Sequence, residues 1–327
     1  MQLKQVNNDR RKNSSDSNIP ADKTEDKKWA AADTINESSP VKADFSLKIA
    51  LRDGKSIMLS RPYIMGILNV TPDSFFDGGL FSSDKAFFKK VNEMLLFGVD
   101  FIDLGGESSR PGAKPVSIAE ERRRVIPKLK RLKKKYPHII VSVDTRNEPI
   151  ASEAIDCGAD IINDISAGDD SNGAMLKLVA KTQTPIILMH KKGQPQTMQQ
   201  NVAYDNVESE VFSYLEHKIA LLKELALSED KIIIDVGIGF GKEHHHNITL
   251  IKNLDKFKAL GHPILIGASM KSLITHLTGC DPSERLAGTL GVHLAAIVHG
   301  ANIIRVHDVK SARYSLAGFL PMLGDYG

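Results

Sequence analysis

At 327 residues, 42% of them hydrophobic and 25% charged, the chain is globular over most of its length and has room for one large domain or two ordinary ones. Its 43 basic and 40 acidic residues leave a net charge of +3, too even a balance for a nucleic-acid surface. The longest apolar runs are of strand length, which argues against a membrane span. Cys157 and Cys280, with no Cys-x-x-Cys spacing, imply neither a disulfide framework nor a zinc site, so a reducing cytoplasm fits best.

Residues 1–44 stand apart as a polar extension. Asn7 to Asn18 is almost wholly polar or charged and Thr24 to Lys28 is charge-rich, the composition of a flexible tail. The segment lacks the apolar core of a secretory signal, and its acidic residues argue against a transit peptide. Trp29 with Ala30 to Ala32 would suit a short docking helix instead. A regular pattern then runs through residues 45–327. Ser46 to Leu51 and Ser56 to Leu59 flank Asp53-Gly54, a hairpin signal. A hairpin placed ahead of a barrel commonly plugs its lower end.

Eight strand-like runs follow: Tyr63–Val70, Phe101–Gly106, His138–Thr145, Ile161–Ser166, Pro185–Lys191, Lys231–Gly239, Pro263–Ser269 and Asn302–Val309. Helical patterns separate most of them. Phe87, Val91, Met94 and Leu95 share one helix face, with Ser83 expected as its cap. Ser117-x-x-Glu120 reads as a capping box, with Pro127 expected to kink the helix it opens. Pro149 sits near a helix start, and Asn206 to Leu227 reads as one long helix.

A phrase recurs three times at helix-to-strand junctions: Gly98-Val-Asp-Phe-Ile-Asp103, Gly158-Ala-Asp-Ile-Ile-Asn163 and Gly300-Ala-Asn-Ile-Ile-Arg305. The glycine suits the left-handed position after a helix, and the apolar run reads as a buried strand. Eight strands alternating with helices predict an α/β fold, a (β/α)8 TIM barrel behind a short N-terminal β-hairpin. An open doubly wound sheet would favour a glycine-rich phosphate loop after its first strand, and Gly66-Ile-Leu-Asn-Val-Thr-Pro is not one.

Such barrels build their sites at the C-terminal strand ends. Those ends carry Asn69, Asp103, Asp144, Asn163 with Asp164, Met189 with His190, Asp235, Ser269 with Lys271, and Arg305 with His307. One Asp or Asn at a strand end is usually a cap or loop hydrogen-bonder. Eight polar ends together are harder to dismiss, because charge near a core is costly unless paired or functional. Asp144, Asn163, Asp235 and Lys271 suit a flat heterocycle rich in N–H and carbonyl groups. Arg305, His307, Arg110 and Asn69 have an anionic taste: Arg grips phosphate bidentately, and an Asn oxygen can hold Mg²⁺ beside it. His244-His-His246 invites a metal reading, but adjacent loop positions rarely converge on one ion, so a solvated loop is expected there.

These residues resemble the dihydropteroate synthase family. The matching segments are Met65 to Phe75, Gly105 to Gly112, Ser142 to Thr145, Ile162 to Asp164, Leu188 to His190, Pro195 to Gln199, Gly239 to Lys242, Ser269-x-Lys271 and Ile304 to Lys310. The likeness starts near Ser46 and leaves out the polar tail. It implies a homodimeric barrel that joins 4-aminobenzoate to 6-hydroxymethyl-7,8-dihydropterin diphosphate, with Mg²⁺ as cofactor and sulfonamides as inhibitors. By the same resemblance, Asp144, Asn163, Met189, Asp235 and Lys271 hold the pterin. Arg305 stacks on the ring and, with His307, binds diphosphate, while Ser109 and Arg110 belong to a mobile second loop. Phe75, Pro111, Phe240, Ser269 and Lys271 surround aminobenzoate, and Asn69 ligates Mg²⁺. Lys271, Arg305, Asp144 and Arg110 are the implied catalytic set.

Three positions depart from the family pattern. Val236 stands where Pro is usual, Met270 where Arg is usual, and Phe76 where Ser is common. Met270 removes a cation beside the aminobenzoate end. Other functions compatible with the fold are a pterin-binding paralogue of weak or no activity and a pterin-dependent methyltransferase; the latter has no use for a diphosphate grip at Arg305 and His307. Alanine at Lys271 or Arg305 is expected to abolish product while leaving the fold intact.

Overall fold

The computed structural model describes residues 47–70, 80–107, 115–193, 197–199 and 202–323. The polar extension lies outside that range, as do Phe75, Phe76, Ser109, Arg110 and Pro111. Strands β1 (Lys48–Ala50) and β2 (Ser56–Met58) pair antiparallel around the Asp53-Gly54 turn, where Gly54 takes a φ of 83°. Eight parallel strands then close a barrel: β3 (Tyr63–Asn69), β4 (Phe101–Gly105), β5 (Ile140–Asp144), β6 (Ile161–Asp164), β7 (Ile186–Met189), β8 (Ile232–Asp235), β9 (Ile264–Ile266) and β10 (Ile303–Val306). β10 returns to pair with β3, so the sheet has no free edge.

Around it lie α1 (Leu80–Leu96), α2 (Ile118–Lys135), α3 (Glu148–Asp156), α4 (Ala174–Thr182), α5 (Val207–Glu224), α6 (His244–Lys252), α7 (Ser272–Thr278), α8 (Leu286–Val298) and α9 (Val309–Phe319). Among the described residues no helix is long and apolar enough to cross a membrane. The strands are shorter than the apolar runs that announce them, because polar groups at their ends turn the chain. After β8, for example, Asp235 Oδ1 accepts from the Gly237 N–H at 2.8 Å and Gly237 takes a φ of 71°.

Helix starts match the sequence pattern in part. α1 begins at Leu80, so Ser83 lies inside its first turn rather than before it. Ser117 Oγ accepts from Glu120 N at 3.2 Å, but the Glu120 carboxylate turns to Arg123 and Arg124 instead of closing the box. The strong guanidinium pairing outweighs the return bond to the cap. α2 runs on through Pro127, and Asn206 caps α5 by accepting from Ser209 N at 3.0 Å.

Strand alternation sorts the core into two sets. Ile64, Leu68, Ile102, Leu104, Val141, Val143, Ile162, Leu188, Ile234 and Ile304 point outward into the helix layer. Met65, Phe101, Ile161, Ile187, Ile233, Leu265 and Ile303 point inward at the lower end, where Ile49, Leu51 and Leu59 of the hairpin segment join them. The hairpin is therefore the plug expected of it.

The recurring phrase owes its form to two positions. Gly98, Gly158 and Gly300 have φ of 70°, 93° and 109°, the left-handed turn that leaves a helix. Two residues on, the side chains of Asp100, Asp160 and Asn302 accept from the backbone N–H of Ile64, Val141 and Ile264 at 2.8, 2.8 and 2.9 Å. The same residues donate their own N–H to the carbonyls of Ile64, Val141 and Ile264. Each junction thus pins one strand against its neighbour with two bonds before the ladder begins, and register is set at the strand's first residue. Asn302→Ala removes the acceptor of a buried N–H, so urea unfolding should show a loss of about 1–3 kcal/mol; an unchanged midpoint would remove this role.

Candidate active site

Inward positions above the apolar plug are mostly polar. Counting by twos from the lower layer places Asn69 on β3, Asp103 on β4, Asp144 on β5, Asn163 on β6, Met189 on β7, Asp235 on β8 and Arg305 on β10. Ser269 and His307 continue that parity just past β9 and β10. Asp164 is of the outward parity and builds the turn after β6. Its carboxylate accepts from Ser166 N, Ser166 Oγ and Gly168 N at 2.7–2.8 Å.

At the centre stands Arg305. Its Nε donates to Asp103 Oδ2 and its Nη2 to Asp144 Oδ2, both at 2.7 Å, while Asn163 Nδ2 donates to Asp103 Oδ2 at 3.1 Å. Register places Asn69, Gly105, Asp144 and Asn163 at one height on four adjacent strands. Gly105 leaves room there: a Cβ on it would lie 3.1 Å from Asn69 Oδ1, which would have to shift by a few tenths of an ångström. Burial raises the Asp144 carboxyl above the usual range against the pull of Arg305, and burial likewise raises Asp235 despite the Gly237 N–H and Lys271. Asp103 is fully buried, and its Oδ1 has no partner among the described residues.

The other half of the site is the loop after β8. Lys271 Nζ donates to the Ile238 carbonyl and lies 4.6 Å from the Phe240 ring centroid, and burial lowers its pKa to about 8. Phe240 packs with Met189, Ile165 and Met198 in a small apolar cluster. Ser269 Oγ approaches His307 Nδ1 at 3.0 Å and accepts from His307 N at 3.2 Å. A cavity of about 570 Å³ opens outward from Gly239 and Lys271 past His244 and His276.

The His244 to His246 triplet is not a loop. It forms the first turn of α6, where Glu243 and His246 make a reciprocal capping box that the sequence concealed behind three like residues. Among the described residues no group of three or more His, Cys, Asp or Glu is placed to hold a metal. Val236 is fully buried among the helix-facing residues, and Met270 adopts a φ of 59°, its carbonyl accepting from Arg285 Nη1 at 2.9 Å.

Sequence reasoning left three participants unassigned. Asp103 was visible at a strand end, but its pairing with Arg305 spans 202 residues. Lys242 lies in a matched motif, yet nothing local reveals that its ammonium is buried against His190. Arg146 joins Glu107 at 3.1 Å and Asp170 at 3.0 Å on the rim, while Glu107 Oε1 also accepts from Val116 N at 3.0 Å.

The fold has known counterparts. A family model described as pterin binding enzyme matches residues 65–307. The dihydropteroate synthase of Escherichia coli (strain K12) is 44% identical over 257 residues, 79% of this chain and 90% of that one. The Xanthomonas albilineans dihydropteroate synthase with 4-aminobenzoic acid superposes at a TM-score of 0.78 and 37% identity, covering 85% of this chain and 99% of its own. In complex with 7,8-dihydropteroate the same enzyme gives a TM-score of 0.75 at 34% identity, over 85% and 99% of the two chains.

The Arg305 geometry changes what substitution should do. Alanine at Arg305 strands the buried Asp103 carboxylate and the part-buried Asp144 and should cost about 3–5 kcal/mol, so the fold would not be left untouched as the sequence suggested. Lys271→Ala strands no hydrogen-bonded carboxylate, losing the Ile238 carbonyl and the Phe240 ring contact, and should cost less. Denaturation curves that rank the two the other way would contradict the arrangement.

Proposed function

We infer, for a chain that belongs to the dihydropteroate synthase family of pterin-binding enzymes, that it joins 4-aminobenzoate to 6-hydroxymethyl-7,8-dihydropterin diphosphate, giving 7,8-dihydropteroate and diphosphate. One observation carries the reading: a guanidinium held between the buried Asp103 and the part-buried Asp144, with Asn163 and Asp235 on the same inward-facing parity. That layer suits a bicyclic heterocycle, because it offers acceptors (Asp144, Asp235) and an amide (Asn163) to ring N–H and carbonyl groups. Met189 supplies the apolar floor, and Lys271 reaches the ring from the β9 side.

In this reading Arg305 stacks on the pterin while His307 faces the diphosphate, dispersing charge as the C–O bond breaks. The electron-rich ring stabilises the exocyclic cation so formed, and no covalent enzyme nucleophile is needed. Phe240 and Lys271 flank aminobenzoate and Ser269 meets its carboxylate; Phe75, Ser109, Arg110 and Pro111 are assigned to the site by the family resemblance alone. What remains for the protein is chiefly to position the aromatic amine.

Asn69 is a fitting ligand for Mg²⁺. A neutral amide oxygen at the inner rim, 3.1 Å from a Cβ position on Gly105, suits an ion that keeps most of its waters and shares substrate phosphate oxygens. Bound there, the ion would withdraw charge from the leaving diphosphate. A cytoplasmic setting suits the two free cysteines.

The partner that suits the surface best is a second copy of the chain. α8 reads Leu-Ala-Gly-Thr-Leu-Gly-Val-His-Leu-Ala-Ala-Ile-Val, apolar on nearly every side, with Ala287, Gly291 and Ala295 exposed and Leu277 of α7 also exposed. Light scattering should return twice the 35.9 kDa of one chain, and a monomer would remove the homodimer.

The reaction is tested by a coupled assay with both substrates. Dihydropteroate should form with Mg²⁺ and cease with EDTA, sulfamethoxazole should compete with aminobenzoate, and Lys271→Ala should lower turnover by about 100-fold or more. Folded protein that binds pterin diphosphate but releases no dihydropteroate would leave only a binding paralogue.

A further inference from the structure

The loop Gly237 to Gly241 has no ladder or helix to fix it, yet every one of its five carbonyls has a side-chain donor. Gly237 O and Phe240 O accept from Lys242 Nζ at 3.0 and 3.2 Å. Ile238 O accepts from Lys271 Nζ, Gly239 O from Gln199 Nε2 at 2.6 Å, and Gly241 O from the Tyr204 hydroxyl at 2.9 Å. Gly237, Gly239 and Gly241 all have positive φ, of 71°, 81° and 64°. A Cβ on Gly237 would lie 1.9 Å from His190 O and one on Gly241 2.1 Å from Lys192 O, so the loop is pressed flat against the chain leaving β7.

Lys242 is the hub. Only 2% of it is exposed, and Nζ also meets His190 Nδ1 at 2.9 Å and His190 O at 3.2 Å. All four of these acceptors are neutral, and among the described residues no carboxylate forms an ion pair with it. Three carbonyl dipoles therefore converge, oxygen first, on one point that an ammonium occupies, as they would around a bound monovalent cation. Remove the charge and the three oxygens repel one another. Burial in this neutral cage lowers the lysine's pKa to about 7, and the same burial with the neighbouring Lys242 charge keeps the His190 ring neutral.

The structure assigns to Lys242 the role of a positioning residue: its ammonium, acting as an internal cation, shapes the loop that sets Phe240 and the Lys271 ammonium beside aminobenzoate. The link is direct. Ile238, whose carbonyl receives Lys271, and Phe240, whose ring lies under Lys271, are both in the loop that Lys242 gathers. Of the pterin contacts, Asp144, Asn163 and Arg305 are built on β5, β6 and β10 away from this loop, while Asp235, through the Gly237 N–H, and Lys271, through the Ile238 carbonyl, touch it. Lys242 thus bears more heavily on aminobenzoate, whose contacts Phe240 and Lys271 are both set by the loop, than on the pterin, most of whose contacts sit on strands.

The inference rests on the synthase reaction, and wild-type turnover in the same assay separates its failure from failure of that reaction. Lys242→Met keeps the bulk and removes every donor. It should raise KM for aminobenzoate by about tenfold or more, while the Kd for pterin diphosphate, from calorimetric titration, moves by less than about threefold. Tyr204→Phe, a milder change that loses only the Gly241 contact, should raise the same KM by about two- to fivefold. A purely structural lysine would lower the melting temperature and leave both substrates alike. Unchanged aminobenzoate KM in both variants, or equal losses for both substrates, overturns the assignment. If Lys242→Met does not fold, Tyr204→Phe decides alone.

Discussion

A cation held between two carboxylates inside a closed barrel is the constraint around which the rest is arranged. Arg305 reaches across from β10 to Asp103 on β4 and Asp144 on β5, and Asn163 on β6 leans on the same Asp103 oxygen. Such a cluster is expensive to bury, and ion pairs of this kind seldom add net stability over apolar packing. The barrel carries it because the layer below is apolar apart from Ser142 and is plugged, and because a continuous apolar layer packs the strands against the helices outside. Stability is supplied by those two layers, and the polar layer above them is free to serve binding.

Geometry at the junctions makes that division possible. A left-handed glycine ends the helix, an Asp or Asn pins the new strand to its neighbour, and three residues later the inward position is polar. The same device delivers Asp103, Asn163 and Arg305 to neighbouring depths although they differ in charge. Since side chains alternate with period two, a slip of one residue would turn all three into the helix layer. Register and site chemistry are therefore a single requirement. The loop after β8 follows another logic, with shape imposed by side-chain donors from distant segments and not by a ladder.

Much of this could be read from the chain alone. The polar strand ends, Asn163 with Asp164 among them, were visible after each apolar run, and the glycine phrases announced three junctions. The hairpin plug and the number of barrel strands were legible because they are local patterns repeated. What stayed hidden was of longer range or ambiguous locally. The bond from Asp103 to Arg305 joins residues 202 apart, and the Lys242 cage draws on His190, 52 residues earlier. A Gly-Phe-Gly-Lys stretch looks like a solvated loop until the packing partner is known. The His triplet misled for the opposite reason: a helix start was masked by residues rare at caps. Strand ends ran long in the sequence because apolar turn residues such as Val236 and Ile238 extend the pattern past the last ladder bond.

The central claim is that the inner polar layer is the seat of the pterin ring. A crystal structure with the pterin diphosphate bound tests it most directly. The account predicts the ring lying across the barrel mouth, its edge on Asp144, Asn163 and Asp235, its face under Arg305, and its diphosphate turned toward His307 and Asn69. A ring bound on the outer helices, or at the hairpin end of the barrel, would contradict it.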